Sequence, residues 1–157
     1  MKKLEELLAD QPIFKGLDAE YIQVIADCAS NVVFQEGEQI FKEGDPADYF
    51  YVVRRGKVAL EIFVQRRGPV NILSVEDGDV LGWSWLFPPY KWHFDARAME
   101  LTRAAAFDAK CLRGKIEGDP RLGYDLMKRF AQVMLDRMNA SRLQLLDMYG
   151  KNFPQSR

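Results

Sequence analysis

The sequence predicts a mainly-β domain with helices at both ends, an antiparallel barrel or jelly roll in the α+β class. Three observations carry this. Residues 33 to 107 break into many short apolar runs of period two separated by glycine turns, both ends of the chain switch to helical spacing, and the last helix is too long for one domain of this size to cover.

The elements follow in order. Leu4, Leu7 and Leu8 fall at helical spacing and stop at Gln11-Pro12, which predicts a short helix over residues 3 to 9. Asp18 reads as the N-cap of a second helix with Tyr21, Ile22, Ile25 and Cys28 along its buried stripe. Strands are then predicted around Val33, at 39–42, at 49–53, from Val58 to Val64, from Val70 to Val75, at 96–99 and from Arg103 to Phe107. Glu36-Gly37, Glu43-Gly44-Asp45, Arg54-Arg55-Gly56-Lys57, Arg66-Arg67-Gly68-Pro69 and Asp77-Gly78-Asp79 punctuate them. Asp108 reads as the N-cap of a helix through Ile116. Asp119-Pro120 opens the final helix, with Gly150 as its expected C-terminal cap, about 45 Å at 1.5 Å per residue.

That final helix carries two stripes. Leu122, Leu126, Phe130 and Val133 are expected on the barrel, whereas Met127, Ala131, Met134, Met138, Ser141, Leu145 and Met148 alternate spacings of four and three. The second pattern is that of a coiled-coil seam and predicts a homodimer through this helix, although the chain's first two helices would account for cover over part of it.

Composition narrows the function classes. The 157 residues form one domain: helices over 1–30, a β region over 31–107 containing a loop at 82–95, and helices over 108–150. A net charge of −1, from 22 basic and 23 acidic side chains, leaves no basic field for a polyanion. The stretch from Met1 to Leu8 has acids where a signal peptide would be apolar, and no run approaches the roughly 20 apolar residues a membrane helix needs. Cys28 and Cys111 read as two buried thiols in a reducing compartment, so a cytoplasmic protein is expected. Two cysteines and one histidine do not complete a metal set. Phosphate loops, nucleophile elbows and metal-spaced histidines are missing, so an enzyme is not expected.

The binding candidate is the loop from Gly82 to Phe94, which holds all three tryptophans and the single histidine. In one reading Gly82, Trp83, Ser84, Trp85, Leu86, Trp92, His93 and Phe94 form a pocket for a flat, mostly apolar ligand, with Ser84 and His93 as polar handles. In the other the tryptophans plug the barrel and leave a module that docks on another protein.

The runs Phe41-Lys42-Glu43-Gly44-Asp45-Pro46-Ala47-Asp48-Tyr49-Phe50-Tyr51-Val52-Val53, Gly56-Lys57-Val58 and Asp77-Gly78-Asp79-Val80-Leu81-Gly82 resemble the cyclic-nucleotide-binding domain family over most of residues 10 to 150. The resemblance implies a double-stranded jelly roll, a regulatory or sensory role and a long dimerisation helix. It also implies a glutamate after Gly82 for the ribose, a small residue two further on and an arginine for the cyclic phosphate. Trp83, Trp85 and Trp92 stand at those three positions. Cyclic AMP and cyclic GMP are therefore not expected to bind in the family's usual way, because a phosphate leaving water needs charge-assisted partners. An unidentified small ligand or a protein partner is expected instead, with cyclic nucleotide in a non-standard site as a further alternative. No cofactor is predicted. Family relatives that sense haem leave His93 as a conceivable axial ligand. The family's DNA-binding members continue into a helix-turn-helix, whereas only Lys151 to Arg157 follow here, so direct DNA binding is not expected.

Overall fold

In the computed structural model, which describes residues 3–152, the β region forms two four-stranded antiparallel sheets. Strands β1 (Ala29–Phe34), β8 (Thr102–Asp108), β3 (Tyr49–Arg55) and β6 (Val80–Leu81) make the first, in that order. The second runs β2 (Gln39–Phe41), β7 (Asp95–Ala98), β4 (Val58–Val64) and β5 (Gly68–Val75). Helices α1 (Leu4–Ala9) and α2 (Ala19–Ala26) precede the jelly roll, and α3 (Ala109–Gly118) and α4 (Pro120–Asn152) follow it. Among the described residues no helix is long and apolar enough to cross a membrane.

Alternation decides which side chains go inside. On β7, Ala96 and Ala98 are buried while Arg97 points outward and donates from Nε to Glu61 on β4, 3.0 Å away. The core is aromatic. Phe50 of β3 stacks on Phe107 of β8 at 4.5 Å between ring centroids, and Phe130 of α4 meets Phe50 edge-on at 5.3 Å. Leu122, Leu126 and Phe130 are all buried, so the first stripe of α4 does face the barrel.

Helices α3 and α4 start at side-chain caps, whereas Asp18 stands before α2 without a side-chain cap bond. Asp108 Oδ1 accepts from the Cys111 amide at 2.9 Å, and Asp119 Oδ1 accepts from the Leu122 amide at 3.2 Å. The end of α4 departs from expectation: the helix runs through Gly150 to Asn152, so Gly150 is not its cap.

Cys28 and Cys111 form a disulfide rather than two thiols. The reason is the register of the barrel. β1 pairs antiparallel with β8, Ala29 opposite Phe107, and the Asp108 amide donates to the Cys28 carbonyl at 2.8 Å. Residues 83 apart in sequence are thereby brought to 5.7 Å between Cα atoms, inside the bridging range. The argument from free thiols to a reducing compartment falls with it.

Candidate functional site

The loop after β6 starts with Gly82 at φ +96°, a conformation that side chains disfavour. Space there is also closed: a Cβ on Gly82 would overlap Cζ3 and Cη2 of the Trp92 ring. A single 3₁₀ turn, Ser84–Leu86, comes next, followed by the cis Pro88-Pro89 step.

This turn separates the tryptophans. With three residues per turn, side chains two apart point in widely different directions. Trp85, 0% exposed, enters the core, stacks on Phe50 at 4.6 Å and meets Phe130 edge-on at 5.5 Å. Its Nε1 is buried with no hydrogen-bond partner. Trp83 stays half-buried on the side facing α4, with Phe94 edge-on at 6.2 Å.

Trp92, 4% exposed, lies flat on Phe41 at 3.7 Å and 5°. The loop's second half is laced to the turn between β2 and β3. Ala47 donates to the Tyr90 carbonyl at 2.7 Å, Gly44 to the Trp92 carbonyl at 2.8 Å, and the Trp92 amide returns a bond to Asp45 at 3.0 Å. Arg113 of α3 donates to the Trp85 carbonyl at 2.7 Å and lies 4.1 Å from the Tyr90 ring centroid. This is a fixed loop.

A cavity of about 480 Å³ opens between Trp83, Phe94, Leu60, Ile72 and Leu73 on the barrel side and α4 on the other. Its helix wall includes Met134, Met138, Ser141, Leu145 and Met148, which are five of the seven residues expected in the coiled-coil seam. The other two, Met127 and Ala131, are exposed. The same stripe thus borders a ligand-sized space as well as solvent. A second cavity of about 400 Å³ is lined by Asp79, Arg129, Gln132, Asp136 and Arg137 among others.

Of the expected loop residues, only Trp83 and Phe94 line the larger cavity. Trp85 and Ser84 are buried and Leu86 is half-buried, packed against the core, while Gly82 is occupied by the Trp92 ring. His93 is exposed, its Nδ1 3.0 Å from the Lys91 carbonyl oxygen. It lines neither of these two cavities. Among the described residues no cluster of three metal-ligating side chains exists.

One residue of the site was not anticipated. Arg137 lines both cavities, donates from Nη2 to the Val80 carbonyl and lies 5.1 Å from the Trp83 ring centroid. Its position was legible: Phe130, Val133 and Arg137 continue the barrel-facing stripe at spacings of three and four.

Comparison with known proteins places this arrangement. The family model for the cyclic nucleotide-binding domain matches residues 31–119. The CRP-like cAMP-activated global transcriptional regulator of Mycobacterium tuberculosis is 27% identical over 155 residues, 96% of this chain and 66% of the regulator's length. The chain thus spans just under two thirds of that relative. A crystallised Geobacter metallireducens protein, provisionally named a cyclic nucleotide-binding protein, is 31% identical with a TM-score of 0.77, over 87% of this chain and 99% of the other. A cyclic nucleotide-binding domain from Methylobacillus flagellatus shares the fold at a TM-score of 0.78 and 20% identity, over 97% and 84% of the two chains. With the family model covering more than half of its length and the jelly roll shared with its relatives, the chain belongs to the cyclic nucleotide-binding domain family, a family of regulatory and sensor domains.

Proposed function

We propose that the protein is a dimeric, non-enzymatic regulatory module whose ligand is flat and mostly apolar, taken into the cavity between Trp83, Phe94 and α4. The observation that carries this reading is the placement of Trp92. Where the family resemblance calls for a phosphate-binding arginine, an indole lies flat on Phe41 and closes the space over Gly82. A cyclic phosphate would meet apolar carbon there, at a desolvation cost of several kcal/mol with no charged partner.

The plugged reading and the pocket reading describe different parts of one loop. Trp85 and Trp92 fill the barrel, and Trp83 with Phe94 edges a separate cavity large enough for a small aromatic molecule. Dimerisation through α4 is supported by Met138, Leu145 and Met148, each more than half exposed in the single chain. A partner helix would cover these residues and close the cavity mouth, coupling occupancy to the helix pair.

Calorimetric titration of the full chain tests the reading, with cyclic AMP, cyclic GMP and the neutral probe 2-naphthamide, alongside light scattering. Heat and thermal stabilisation are expected with 2-naphthamide and not with millimolar cyclic nucleotide, at a mass twice the 18.1 kDa chain. Saturable cyclic nucleotide binding, or a chain that stays monomeric at tens of micromolar, sinks the corresponding half of the proposal.

A further inference from the structure

Helix α4 carries two arginines eight residues apart that face the barrel region, and their surroundings differ. Arg129 has an ion pair and two backbone acceptors: its Nε is 2.7 Å from Asp125 Oδ1, and its Nη1 donates to the carbonyls of Ile13 and Lys15 at 2.9 and 2.8 Å. Arg137 has the Val80 carbonyl and the Trp83 face, but none of the ion pairs among the described residues includes it. Its Nη1 is buried with no hydrogen-bond partner. Burial pushes its pKa down to about 10, opposed by the Asp79 carboxylate, and the side chain stays cationic at neutral pH. A desolvated cation with no carboxylate in ion-pair contact is costly, and an anion placed directly against it recovers part of that cost.

The two cavities that Arg137 borders are not equivalent for an anion. The 400 Å³ cavity carries Asp79 and Asp136, which repel it, and Arg129 there is already paired. Among the described residues that line the 480 Å³ cavity, Arg137 is the one charged side chain. Ser141 and Gln144 add polar groups, and the remaining surface is apolar or aromatic. We propose that this cavity binds a small carboxylate with a flat apolar body, its anionic end paired with Arg137 and its body against Trp83 and Phe94. The inference rests on the apolar-pocket reading above and adds the charge of the ligand.

The test compares three probes of one shape on the full-length protein: 2-naphthoate, neutral 2-naphthamide and 2-naphthylmethylammonium, followed by tryptophan fluorescence. The expected order of affinity is anion, neutral, cation, with naphthoate at least tenfold tighter than naphthamide. In R137Q that gap should collapse while naphthamide affinity stays the same. Equal binding of naphthoate and naphthamide, or a gap that persists in R137Q, overturns the role of Arg137 and leaves the apolar pocket standing. If naphthamide does not bind at all, the pocket reading itself falls. Should R137Q not fold, the order of the three probes on the unaltered protein decides alone.

Discussion

Trp83 and Trp85 are separated by one residue, yet Trp85 lies wholly within the aromatic cluster of Phe50, Phe107 and Phe130, whereas Trp83 faces a cavity and a guanidinium. Trp92 sides with Trp85: it is stacked on Phe41 and held by backbone bonds to the turn at 44–47. One loop therefore contains a structural half and an open half. Aromatic content alone does not identify a binding surface; the direction each ring takes from the backbone does.

The comparison breaks first at the plug. Truncating Trp85 or Trp92 to alanine removes a buried indole from a packed site, and about 3–5 kcal/mol of stability should go with each. Chemical denaturation monitored by far-UV circular dichroism measures it. A loss under about 1 kcal/mol at both positions would mean that the rings are not part of the core.

The period-two runs made the jelly roll legible because one face of each strand is buried and the other is not, as Ala96, Arg97 and Ala98 show. Strand β6 carries no such signal, since two residues, Val80 and Leu81, cannot display a period. The disulfide is not legible in the sequence, because the closeness of Cys28 and Cys111 comes from β1–β8 register, a long-range property absent from their local sequence. Within the loop, the three tryptophans were visible but their division was not. It is set by a three-residue 3₁₀ turn with no side-chain cap, which leaves no local pattern to read. Arg137 continues the stripe Leu122, Leu126, Phe130, Val133, but a charged side chain carries no apolar signal that marks it as barrel-facing.

A second substitution sharpens the boundary between the halves from the backbone side. Gly82→Ala sets a Cβ against the Trp92 ring at a φ of +96°, so either the indole shifts off Phe41 or the backbone turns. Both are costly, and a loss of about 1–3 kcal/mol is expected by thermal or chemical unfolding. An unchanged midpoint would show that Trp92 is free to move, and the fixed-plug argument would fail with it.

The smallest stability effect belongs to the open half. Trp83→Ala removes a half-buried ring that borders the cavity and lies beside Arg137, so its unfolding free energy should change by less than about 1 kcal/mol. Its binding effect should be the opposite: affinity for 2-naphthamide should fall several-fold, because one wall of the cavity and its stacking surface are gone. His93→Ala is the control within the same loop. His93 is exposed and lines neither cavity, so stability within about 0.5 kcal/mol and unchanged probe affinity are expected. If Trp83→Ala instead costs as much stability as Trp85→Ala and leaves probe binding intact, the loop is a plug along its whole length, and the division between its halves is wrong.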